Sequence, residues 1–159
     1  MAGAPPTLED LAKTLKPGER LMGLDLGSKT IGIAISDVTR QIATPIETIR
    51  RSKFSADAAQ LLALAARENA AAIILGMPMN MDGSEGARAQ STRAFVRNLA
   101  KLSPLPVILW DERLSTAAVE RMLIEADRSR ARRREIVDKL AAAYILQGAL
   151  DRLAQLARK

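Results

Sequence analysis

Apolar positions along this chain recur with two different periods, and each change of period marks a new element. Residues 21–26 and 31–37 are dense runs of Leu, Met, Ile and Ala, separated by Gly27, Ser28, Lys29 and Thr30. Short apolar runs bounded by turn-forming residues predict strands, and residues 43–49 predict a third after the polar turn at 39–41. Three antiparallel strands in a meander accommodate them. Ser55 then caps a predicted helix over residues 55–68, with Leu61, Leu62, Leu64 and Ala65 as its apolar side and Asn69 as its end. Residues 72–75 predict a buried strand that stops at Gly76, and Pro78, Asn80, Asp82, Gly83 and Gly86 make 77–86 a loop.

A second helix is predicted over residues 87–102, with Phe95, Val96, Leu99 and Leu102 on its core side. Arg93, Arg97 and Lys101 recur every four residues on another side and form a cationic ridge. After the breaker at 103–106, residues 107–110 predict a buried strand running into Asp111, Glu112 and Arg113. Trp110 and Phe95 are read as core. Ser115 or Thr116 caps a further helix to about residue 126. Arg128, Arg130, Arg132, Arg133 and Arg134 crowd the next connection, where mutual repulsion predicts a solvated, mobile segment. A final helix over about 134–157 is apolar nearly all round as far as Leu150. Residues 1–20, with Pro5, Pro6, a short helix over 8–15 and the Pro17–Gly18 turn, form an N-terminal extension to a single domain at 21–157. The order predicts an α/β fold with a mixed sheet.

Composition narrows the chemistry more than any motif does. With 159 residues, 48% of them hydrophobic, the chain can bury one substantial core. It has no cysteine and no histidine, which removes thiol nucleophiles, the commonest zinc ligand and the commonest general base. Carboxylates are hard oxygen donors, so an intrinsic metal site built from them favours Mg²⁺, Mn²⁺ or Ca²⁺ over thiophilic metals, and Mg²⁺ or Mn²⁺ is the expected cofactor. Lys and Arg number 24 against 18 acids, for a net charge of +6, and this charge attracts a polyanion such as nucleic acid. Seventeen of those cations are Arg, whose planar fork matches phosphate oxygens. No signal peptide or membrane span is read in the sequence, and the expected location is cytoplasmic.

Against that background three acids stand in unusual places. Asp25 lies inside the first apolar strand, Glu112 at the end of the last, and Asp138 in the first turn of the final helix, on the face of Ala141, Ala142 and Ile145. An ionised carboxylate in such surroundings is costly unless a cation or strong donors meet it. If the first and last strands are neighbours and the helix covers them, the three can share one or two divalent ions. Two metals about 3.5–4 Å apart hydrolyse phosphodiesters without a histidine base. Lys29, Arg93, Arg97 and Arg113 are then candidate phosphate contacts. Each acid also has a structural reading: Asp25 could accept bonds from the 27–30 turn, Glu112 could pair with Arg113, and Asp138 could serve its helix dipole. A P-loop is rejected, because the spacing from Gly23 to Lys29 and Thr30 is wrong for it.

Four segments together resemble the YqgF family of RuvC-like nucleases with the ribonuclease H fold. They are Gly23 to Gly27 with Gly32 to Asp37; Gly76 to Gly83; Asp111 to Thr116; and Asp138 to Ala142 with Ile145 to Gln147. The resemblance covers about residues 20–155. It implies a five-stranded mixed sheet, three antiparallel strands then two parallel, flanked by helices. It also places Asp25, Glu112 and Asp138 where the family's metal-binding catalytic acids stand. The implied activity is a bacterial cytoplasmic nuclease maturing the 5′ end of 16S ribosomal RNA, working as a monomer or homodimer. Resolution of Holliday junctions in branched DNA is the alternative, and a non-catalytic rRNA-binding assembly factor is the non-enzymatic one. Actin-like ATPases share the fold but clamp nucleotide between two such domains, and this chain supplies one.

Overall fold

The computed structural model describes residues 6–114 and 130–158, with side chains described throughout except at 130–138. The described elements run α1 (Leu8–Thr14), β1 (Arg20–Leu26), β2 (Thr30–Ser36), β3 (Ala43–Arg50), α2 (Phe54–Arg67), β4 (Ala70–Met77), α3 (Ala87–Ala100), β5 (Val107–Asp111), a 3₁₀ turn (Glu112–Leu114) and α4 (Arg130–Ala157). The predicted helix over 116–126 and the position of Arg128 lie outside the described residues.

One five-stranded sheet organises the chain, in the order β3-β2-β1-β4-β5. β1, β2 and β3 are antiparallel, while β4 joins β1 and β5 joins β4 in parallel. The predicted meander followed by two parallel strands is therefore the architecture found. The expectation that the first and last strands are neighbours is not met, because β4 lies between them. The hydrophobic residue at 73 explains this: Ile73 pairs with Met22 on one side and Val107 on the other, and an all-apolar β4 buried on both faces belongs inside a sheet rather than at its edge.

The alternation of side chains along each strand divides the core in two. Met22, Leu24, Ile31, Ile33, Ile73 and Leu75 pack with Leu61, Phe95 and Leu99 of α2 and α3. Leu21, Ala34, Ala72, Ile74 and Ile108 pack on the other side with Ala142, Ile145, Leu146 and Leu150 of α4. The second face is poor in large residues because α4 lies very close to it. A Cβ on Gly23 would come 2.7 Å from the Cβ of Leu146 and 2.8 Å from the carbonyl oxygen of Ala142. The N-terminal extension is tied into this layer. Thr7 and Asp10 close a capping box on α1, and Leu8 and Leu11 enter the same apolar cluster as Leu153.

Three local expectations are corrected. Helix α2 starts one residue before Ser55, with Lys53 at the cap position and no side-chain cap bond there. Asp57 in the first turn reaches back instead, its buried carboxylate accepting from the Ser52 backbone N–H and hydroxyl ahead of the helix, each at 3.1 Å. Leu102 lies beyond the end of α3 and is exposed rather than core. Finally, α4 begins at Arg130, so residues 130–134 continue a helix whose later turns are anchored in the core, and tertiary packing overrides the charge repulsion. Asn69 ends α2 as expected, in the left-handed conformation at φ 54° that Asn tolerates. Among the described residues, no helix is long and apolar enough to cross a membrane.

Candidate nuclease site

Asp25 is 3% exposed, near the C-terminal end of β1. By strand alternation it shares the face of Leu21 and Gly23, the face that α4 covers. Its partner across the β1–β2 ladder is Gly32, which puts no side chain beside the carboxylate. Further along that face of β2 the Thr30 hydroxyl is buried with no hydrogen-bond partner among the described residues.

Glu112 follows the last ladder pair of β5, Met77 with Asp111, and is 9% exposed. Ile108 and Trp110 face α4, and Glu112 opens the 3₁₀ turn that follows directly on β5. With β4 between them, β1, which carries Asp25, and β5, which leads into Glu112, lie two ladder spacings apart, about 9.6 Å. Gly76 of β4, on the same face, leaves that gap free of a β4 side chain of its own. Ile145 of α4 occupies the space over it, its Cδ1 only 2.4 Å from where a Cβ would be.

Asp138 is the ninth residue of α4, in its third turn rather than its first. This weakens the dipole reading, because that effect is confined to the terminal turn. The course of α4 fixes which part of it passes Asp25. Gln147 accepts from the Ala43 N–H and donates to the Gln41 carbonyl, both at 2.9 Å. Ala43 pairs with Ser36, whose hydroxyl accepts from the Leu21 N–H, so Gln147 is level with the start of β1. Ala142 and Leu146 are level with Gly23. Two further strand residues, about 6.7 Å, correspond to about four or five helical residues at a 1.5 Å rise. The backbone near Asp138 therefore reaches the level of Asp25. Among the described residues no three His, Cys, Asp or Glu side chains form a cluster, and the Asp138 side chain lies outside them.

The four cations expected at phosphates separate in space. Lys29 is exposed in the β1–β2 turn, close in sequence and space to Asp25. Arg93 is committed to a two-pronged pair with Glu85, at 2.7 and 2.6 Å. That pair holds the Glu85 carboxyl below its usual range and raises the Arg93 guanidinium. Arg97 is exposed on α3, but α3 packs on the sheet face opposite Asp25. Arg113 is held by Asp111 and by the Met81 carbonyl. Sequence reading missed a basic edge at Arg50, Arg51 and Lys53, all exposed. The Arg51 N–H bonds the Lys29 carbonyl at 2.8 Å, and its guanidinium bonds the Gly27 carbonyl at 2.6 Å. The run Arg50-Arg51-Ser52-Lys53 was a visible signal, but only strand pairing brings it beside Lys29.

Comparison with known proteins identifies the fold and the family. A Rhodobacter capsulatus protein named "Putative pre-16S rRNA nuclease" is 61% identical over 153 residues, 96% of each chain. A Rhizobium meliloti protein of the same name is 60% identical over 96% of this chain and 92% of its own. Among solved structures, Thermus thermophilus RuvC in complex with a Holliday junction substrate superposes with a TM-score of 0.54 at 15% identity, over 86% of this chain and 96% of that one. A second Thermus thermophilus RuvC structure gives a TM-score of 0.52 at 14% identity, over 86% and 97% of the two chains. These two establish the RuvC-like fold. A family model described as "RuvX: Holliday junction resolvase" matches residues 19–152. That span holds all five strands and each of the three acids, and the chain belongs to the RuvX family.

Proposed function

We propose that this protein is a divalent-metal-dependent nuclease that hydrolyses RNA phosphodiesters, with precursor 16S rRNA as its substrate. The observation that carries this reading is Asp25: a carboxylate 3% exposed on an interior strand, on the sheet face that α4 covers, in a fold where Glu112 is buried as well. The relatives' name supplies the substrate.

The residues fit a hard cation. The three acids are all-oxygen donors in a chain without His or Cys, and burial makes an uncompensated carboxylate expensive. The buried Thr30 hydroxyl adds a further oxygen on that face. Asp25, Glu112 and Asp138 would hold Mg²⁺ or Mn²⁺, which when bound supplies Lewis acidity and an activated water for in-line displacement. Gly32 keeps the cross-strand position clear for a phosphate group. Lys29, Arg51 and Lys53 line the adjoining edge and would hold flanking phosphates, which positions the strand without reading its sequence. Helix α4 roofs the acids and lowers the local dielectric, which strengthens every charge interaction beneath it.

The test is Asp25→Asn, which keeps the side chain's size and removes its charge. Cleavage of precursor 16S RNA with Mn²⁺ is expected to fall by at least a hundredfold, about 2.7 kcal/mol in barrier. Activity within threefold of the parent overturns the assignment. A synthetic four-way DNA junction digested in parallel reverses the substrate choice if it alone is cut.

A further inference from the structure

We infer that Arg113 is a positioning residue for Glu112: with Asp111 it forms a clip around Glu112 and turns that carboxylate into the fold. This rests on the reading of Glu112 as a metal-binding acid, and it replaces the expectation that Arg113 contacts substrate phosphate.

Ladder pairing in β5 ends at Asp111, so sheet hydrogen bonds no longer fix the backbone at Glu112. The clip takes over there. The Arg113 backbone N–H donates to Asp111 Oδ1 at 3.0 Å. Its Nε donates to Oδ1 at 3.1 Å and Oδ2 at 3.2 Å, and Nη2 donates to Oδ2 at 2.7 Å. Two residues apart, Asp111 and Arg113 thus close a ring whose middle residue is Glu112. The consequence shows in exposure: Arg113 and Leu114 are exposed, Leu114 at 67%, while Glu112 between Asp111 and Arg113 is at 9%. The remaining prong reaches further. Nη1 donates to the Met81 carbonyl at 3.2 Å, tying the end of β5 to the loop after β4. That loop is itself braced, by Asn80 N–H to the Ser84 carbonyl and Gly83 N–H to the Asn80 carbonyl, both at 2.9 Å. A planar fork satisfies Asp111 and Met81 at once, which a lysine ammonium on a flexible stem does not reproduce.

Two variants, Arg113→Gln and Arg113→Lys, test the clip by Mn²⁺ titration calorimetry and by RNA binding in EDTA at several salt concentrations. Partners that orient a metal ligand typically change affinity about 10–100-fold, and Arg113→Gln is expected to weaken Mn²⁺ binding at least tenfold. Arg113→Lys is expected to weaken it nearly as much although the charge is kept. The salt slope of RNA binding should match the parent's. Unchanged Mn²⁺ affinity in both variants overturns the inference. So does a salt slope lower by about 0.7 with Mn²⁺ binding intact, the signature of one lost phosphate contact on a single strand. A parent protein that binds no Mn²⁺ overturns the metal reading itself, a result distinct from either. Thermal melting without metal confirms that each variant is folded.

Discussion

Gly23→Ala is the sharpest probe of how α4 is seated over the sheet. The added methyl would lie 2.7 Å from Leu146 Cβ and 2.8 Å from the Ala142 carbonyl oxygen, where carbon contacts begin near 3.5 Å. Neither obstructing atom can rotate away, because one is a Cβ and the other is backbone. The helix must therefore retreat by about 0.8 Å, and overpacking of this kind costs about 1–3 kcal/mol. For a chain of this size that lowers the melting temperature by about 2–12 °C. Gly76→Ala is the control. Its methyl makes a closer contact, 2.4 Å, but with the Cδ1 end of Ile145, which can change rotamer for about 0.5–1.5 kcal/mol. Thermal unfolding followed by circular dichroism should thus rank Gly23→Ala as the more damaging, although its nearest contact is the longer. Because α4 also carries Asp138, a retreat of this size should cost cleavage up to about a hundredfold. A Gly23→Ala protein as stable as the parent, or more stable than Gly76→Ala, would refute the close seating of α4.

Asp57→Ala should cost about 1–3 kcal/mol in denaturant unfolding, since it removes a buried carboxylate that accepts from the Ser52 N–H and hydroxyl; a loss under about 0.5 kcal/mol would show that water replaces it. Stability should be flat from about pH 8 to 5, because no histidine is present. It should fall below about pH 4. Asp111, Glu85 and Asp37 are held below their usual values by the Arg113 guanidinium, the Arg93 guanidinium, and the Thr39 hydroxyl with the Ile42 and Gln41 N–H groups, respectively. A carboxyl lowered in the folded state stabilises above its unfolded pKa and loses that contribution as pH falls through the folded one. A melting temperature unchanged down to pH 3 would contradict these pairings.

The sequence by itself settled the order of the described strands and helices, because hydrophobic periodicity and turn chemistry are local, although packing moved the ends of α2, α3 and α4. It also excluded thiol and imidazole chemistry, since no His or Cys is available, and it made Asp25 conspicuous as a charge in an apolar run. Strand order was not legible: placing β4 between β1 and β5 is a choice among pairings that all bury similar runs, and only the packed sheet makes it. The same holds for the cations. Arg93 and Arg113 look alike as basic residues, yet the fold pairs them with Glu85 and Asp111. Arg51 gains significance only when the pairing of β2 and β3 sets it beside Lys29. Spatial neighbours far apart in sequence are fixed by cooperative burial of the two core layers, a property of the whole chain that no single segment encodes.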